Sequence, residues 1–143
     1  MHVCYTYYME EYTLPSIIKE LIIEYHKMEP GDFIENHTET ICLHSNFIIS
    51  RKSLKHIVEQ RKTDRYSPED IISIFDKFTK NIINNNIEII KNKKDPSSKL
   101  ILEKLIIEKT SLVVVADYAE DVYVIKTGFL RASNKINKIK KQK

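Results

Sequence analysis

The apolar positions change period along this chain. From Leu14 to Met28, Ile17, Ile18, Leu21, Ile22 and Tyr25 recur at three- and four-residue spacing, which predicts an amphipathic helix. Thr13 stands where a cap belongs, Pro15 suits the first turn, and Pro30-Gly31 ends the segment. A polar stretch reaches Thr40, and two short apolar pieces follow, Ile41 to Leu43 and Phe47 to Ile49. Ser53 opens a second helix, Leu54 to Lys62. A third starts at Ser67-Pro68-Glu69-Asp70, a capping box with proline at the first helical position. Its stripe is Ile71, Ile72, Phe75, Phe78 and Ile82, and Asn84-Asn85-Asn86 closes it.

Beyond residue 86 the pattern turns to β-branched runs bounded by Asn, Asp, Ser and Lys. Ile87 to Ile90, Leu112 to Ala116 and Val122 to Leu130 read as strands, with Asp117 to Asp121 joining the last two as a hairpin. Leu100 to Ile107 has helix-like spacing but strand neighbours, and is taken as a strand. Residues 1–12, rich in tyrosine, read as a short strand or an arm. The expected architecture is α+β: N-terminal helices followed by a four-stranded antiparallel sheet.

Composition narrows this outline. At 143 residues and 16.9 kDa the chain fits one domain. With 42% hydrophobic and 30% charged residues, wholesale disorder is excluded. No apolar run approaches the ~18 to 20 residues of a membrane span. The N-terminus lacks a secretion-signal layout, so a cytoplasmic protein without membrane contact is expected. Cys4 and Cys42 could form one disulfide on parity alone, but on that basis both are expected as thiols, and neither has metal-ligand spacing. No phosphate-cradling glycine loop, zinc spacing, dinucleotide fingerprint or nucleophile elbow occurs, which leaves NTPase, metalloenzyme and serine-hydrolase chemistry unsupported. No metal or cofactor is expected.

Charge is uneven. Residues 1–50 carry −6, 51–65 carry +4, 66–130 carry −1 and 131–143 carry +6, for a total of +3. Two basic blocks therefore sit on a near-neutral body and would form an anion-binding surface if the fold joined them. The final lysines, Lys135 to Lys143, read more simply as a disordered tail over residues 134–143.

The first block holds the densest candidate chemistry: Arg51, Lys52, Lys55, His56 and Arg61. On a wheel of ~100° per residue, His56 falls almost opposite the Leu54 stripe and so faces solvent or a cleft. Arg61 falls on the apolar line itself. It needs either a carboxylate from another element or an anion in a pocket. A surface histidine and a structural ion pair would account for both residues. Together they also supply a group titrating near neutral pH beside fixed positive charge, as phosphodiester cleavage requires. Near the C-terminus, Gly128 sits inside a predicted strand, where a bulge would expose Lys126 or Thr127.

A strand feeding Ser-Leu-Lys-His-Ile-x-x-x-Arg (53–61), a second amphipathic helix, and a meander ending Tyr-Val-Ile-x-Thr (123–127) resemble the barnase–EndoU–colicin E5/D–RelE (BECR) nuclease superfamily. The resemblance is to its phage- and mobile-element-associated branch and covers residues 41–133. It implies a metal-independent, toxin-like endoribonuclease acting by 2′-hydroxyl attack. His56 would be general acid or base, with Lys55 and Arg61 on the phosphate and Thr127 the active-site hydroxyl. Arg51, Lys52, Lys126 and Ser133 are further substrate-binding candidates. The partners would be RNA, tRNA among the candidates, and a cognate inhibitor or immunity protein. Residues 1–40 lie outside the resemblance as an accessory helical segment. A catalytically inactive nucleic-acid-binding module, or an interaction domain working through that acidic segment, are the competing readings.

Overall fold

The computed structural model describes residues 14–141. The chain order is α1 (Ser16–His26), β1 (Thr40–His44), β2 (Phe47–Ser50), α2 (Arg51–Thr63), α3 (Pro68–Ile83), β3 (Ile87–Lys91), β4 (Ser98–Glu103), β5 (Thr110–Ala119), β6 (Val122–Ala132) and α4 (Ser133–Lys141). The six strands form one mixed sheet in the order β1-β2-β6-β5-β4-β3. All neighbours are antiparallel except β2 and β6, which run parallel.

This corrects the expected four-stranded antiparallel sheet preceded by helices. The two short apolar pieces are a hairpin, β1–β2, which joins the meander through Phe47–Ile49 beside Tyr123–Ile125. A parallel partner must arrive by a crossover, and here α2, α3 and three strands lie between the paired segments. Strands of five and four residues leave too little periodicity to reveal such a long-range partner. The helices also do not all precede the sheet, since α4 follows its last strand.

One face of the sheet carries α1, α2 and α3. Ile18, Ile22, Ile49, Leu54, Val58, Ile71 and Ala116 are fully enclosed there in a single core. Helix α1 packs against α2 and α3 in that core. Phe47 stacks on Tyr123 at 4.9 Å and meets Phe78 edge-on at 5.6 Å, tying α3 to the parallel strand pair.

Among the described residues the other face carries α4 alone, through Ile136 on Leu102 and Val113, with Phe129 and Ile139 beside them. A helix thus replaces the expected disordered tail. Ile136, buried, and Ile139, half-buried, stand three residues apart and give the Lys-rich segment an apolar stripe. Lys140 anchors it by donating to the carbonyls of Glu103 and Lys104.

Local chemistry accounts for the element ends. The Ser67–Asp70 capping box and Pro68 open α3 as the sequence predicts. Helix α2 begins earlier than expected, at Arg51, because Ser50 is its cap and accepts from Ser53 N at 3.1 Å. Thr13, the expected cap of α1, and residues 1–12 lie outside the described residues, and Pro15 precedes α1. Strand β4 ends at Glu103, short of the expected Ile107. Glu103 accepts there from Ser111 Oγ and Leu112 N and pairs with Lys77 at 3.2 Å. Strands β5 and β6 turn through Glu120 and Asp121, both with positive φ (53° and 65°), the pattern of a tight two-residue hairpin. Cys42 in β1 is disulfide-bonded, against the expected thiol. That expectation came from inferred compartment and held no geometric information. Cys4 lies outside the described residues. Among the described residues no helix is long and apolar enough to cross a membrane.

Candidate functional site

Strand β6 is eleven residues long, but β2 pairs only with its first part because the chain turns into α2 at Arg51. The rest of β6 is left with an edge toward α2. An irregularity in the β5 pairing sits at the same place: Ala116 pairs with Ile125 and Val115 with Thr127, which makes Lys126 an extra residue. Simple alternation puts Ile125 and Thr127 on one face. The bulge instead leaves Ile125 in the helical core and moves Thr127 to the α4 face, opposite Val115. The sequence placed this disturbance at Gly128. It falls two residues earlier.

At this edge the last turn of α2 meets β6. Arg61, half-buried as its wheel position requires, donates from Nη1 to the Gly128 carbonyl at 3.3 Å. Its Nη2 lies 3.2 Å from Asp64. Its guanidinium is 6.0 Å from the Phe129 ring centroid, and Arg131 approaches the same ring at 5.1 Å. An open cleft of about 580 Å³ results, lined by Gln60, Arg61, Asp64, Thr127, Arg131 and Lys135 among others. Three cations and one carboxylate leave this lining with a positive excess suited to a phosphate.

His56 is elsewhere. It is exposed, as the wheel indicates, but lines a separate depression of about 320 Å³ with His37, Lys52, Lys55, Glu59 and Asp32. Five residues along a helix turn it well away from Arg61. The predicted set therefore divides. Arg61 and Thr127 come together, and His56 stands with Lys52 and Lys55.

The remaining candidates have protein partners. Lys55 is 5% exposed, pairs with Glu59 at 3.1 Å and reaches the Glu29 carbonyl at 3.5 Å. Arg51 pairs with Glu39 at 3.1 Å, and hydrogen bonds to Glu39 and then Tyr25 raise its pKa further above an already high value. The amides of Arg51 and Lys52 donate to the carbonyls of Glu39 and His37, so the loop before β1 occupies the start of α2. Lys126 lies 3.4 Å from Asp95 and 3.5 Å from Asp117, and the Asp117 charge above all raises its pKa. Ser133 Oγ donates to the Glu108 carbonyl and fastens the β4–β5 connection to the start of α4.

Sequence reasoning missed Arg131, Lys135 and Phe129. For Arg131 and Lys135 the signal was present in the final +6 block, and for Lys135 also in the Ile136/Ile139 spacing that makes the segment read as disordered a helix; Phe129 lies before the block and carried no such signal. The two basic blocks do meet, through Arg61 on one side and Arg131 with Lys135 on the other. Compared with protein-family models, curated proteins and solved structures, the chain matches none.

Proposed function

We propose that this protein is a metal-independent endoribonuclease that holds a phosphodiester in the cleft between α2 and the open edge of β6. The supporting observation is the convergence of Arg61, Arg131 and Lys135 around Thr127. The resemblance to BECR nucleases supplies the reaction: the 2′-oxygen attacks phosphorus, and a cyclic phosphate and a free 5′-hydroxyl result. In this reading the two guanidiniums stabilise the charge that builds on the phosphoryl oxygens, and the Thr127 hydroxyl donates to one of them. Arg61 is pre-set for the task by Gly128 and Asp64, so little reorganisation accompanies the reaction. The 2′-hydroxyl proton passes to Asp64 or to solvent, the P–O5′ bond breaks, and the departing 5′-oxygen takes its proton from the protonated Asp64 or from water. His56 takes no part, because it lines a different depression.

That placement also favours a second reading, nucleic-acid binding without cleavage, since the cleft has no imidazole among its described residues. The two separate in one assay. Cellular RNA incubated with pure protein in EDTA should give fragments with cyclic-phosphate ends. Arg61→Ala should slow this by about 100-fold or more, the scale for losing one charge-stabilising donor, and His56→Ala should leave it intact. Uncut RNA with salt-dependent binding would replace the enzyme by the binding module. Uncut and unbound RNA would end both readings.

A further inference from the structure

The α4 face of the sheet holds a second cavity, about 710 Å³, which shares Phe129 and Arg131 with the cleft. Its floor is apolar: Ile90, Leu100, Val113 and Val115 from three strands, with Phe129 alongside and Ile139 of α4 as a wall. Its rim is basic. Lys91, Lys93 and Lys94 stand exposed at the end of β3 and in the following loop, and Arg131 closes the side toward the cleft. Among the described residues four cations and no carboxylate line it.

The groove exists for a structural reason. Helix α4 is nine residues long and covers only part of a face that β3 to β6 make wider than one helix. What remains among the described residues is an apolar strip beside positive charge, continuous with a proposed phosphate site. An apolar partner surface would not call for this rim, and a purely electrostatic contact would not call for this floor. A strand of nucleotides presents both, with flat apolar bases on one side and a phosphate at every step on the other.

We infer that the groove takes the unpaired bases of single-stranded RNA next to the phosphodiester held in the cleft, with Lys91, Lys93 and Lys94 on the flanking phosphates. This rests on the proposed ribonuclease reading and narrows its substrate to single-stranded segments. A duplex keeps its bases stacked inside and can offer the floor only its backbone.

Fluorescence anisotropy with the full chain tests this, using labelled 2′-deoxy-substituted oligonucleotides that resist cleavage. Three ligands of equal length serve: a single strand, its duplex, and a strand with abasic positions. The single strand should bind at least tenfold tighter than either of the others. Lys91→Glu/Lys93→Glu/Lys94→Glu, checked for folding by circular dichroism, should lose at least tenfold of that affinity and show a shallower salt dependence. Equal binding of the three ligands, unchanged in the triple variant, would overturn the groove while leaving the cleft reading standing. Preferential single-strand binding by a protein that cuts no RNA would sustain the groove and remove the nuclease. Binding of an acidic, apolar peptide with no binding of any nucleic acid would overturn both.

Discussion

The two faces of the sheet are finished differently. The face under α1, α2 and α3 is closed: Leu54, Val58 and Ile71 are at 0–1% exposure, and Phe47, Phe75 and Phe78 fill the space between elements. The face under α4 is partly open, with Ile136 fully enclosed but Phe129 and Val115 only half-covered and basic side chains along the margin. Hydrophobic burial explains the first face completely. It does not explain why the second presents apolar floor next to Lys91, Lys94 and Arg131, an arrangement that costs solvation and stores positive charge. Stability is concentrated on one side and binding capacity on the other, and β6 belongs to both.

The sharpest way to break this contrast is to empty each face in turn. Ile71→Ala removes a fully buried side chain from the closed core and should cost about 3 to 4 kcal/mol in chemical denaturation. Ile136→Ala removes an equally buried side chain from α4 and should cost less, because one short helix can detach while the sheet and the other three helices stay folded. Hydrogen exchange should then show protection lost in residues 133–141 alone. Equal global destabilisation by the two variants would mean that the faces fold as one cooperative unit.

A smaller effect concerns pH. Burial lowers the pKa of His44 in β1 below its usual 6.5. The unfolded chain therefore takes up a proton that the folded one resists as pH falls through 6.5. Stability from this group is present above that value and declines below it. The melting temperature should fall between pH 7.5 and 5.5, and His44→Phe should flatten that slope. A wild-type profile that rises over the same interval would contradict the assignment.

The smallest effect is expected at Gly128. An added Cβ would lie 3.7 Å from Val114 Cγ2 and 3.8 Å from the Val113 carbonyl, ordinary contact distances, and its φ is not in the left-handed region. Gly128→Ala should change stability by about 0.5 kcal/mol or less. A loss several times larger would show that Arg61 depends on a bare backbone at this carbonyl.

What was legible in the sequence follows from range. The capping box of α3 and the exposed position of His56 depend on neighbours a few residues away, and both were read correctly. Arg61 was legible as a problem: an arginine on an apolar stripe needed a partner, and Gly128, 67 residues later, provides one. Asp64, its other partner, is only three residues away, but the Gly128 contact was not legible, nor was the pairing of β2 with β6, because each is decided by packing between distant segments. The final helix was hidden for a different reason. Its lysines outnumber its apolar residues, yet Ile136 and Ile139 are enough to hold it once a sheet face is available. The site divides for the same reason, since a helix wheel gives direction around α2 without saying which neighbouring element lies in that direction.

The most direct test of the central claim is where RNA touches the protein. Amide chemical-shift mapping with a short, non-cleavable single strand should move Thr127, Phe129, Arg131 and Ala132 of β6 together with Arg61 and Asp64. The amides of His37, Lys52 and His56 should stay in place. Shifts gathered around His56 with β6 unmoved would contradict the account and return the site to the outer face of α2.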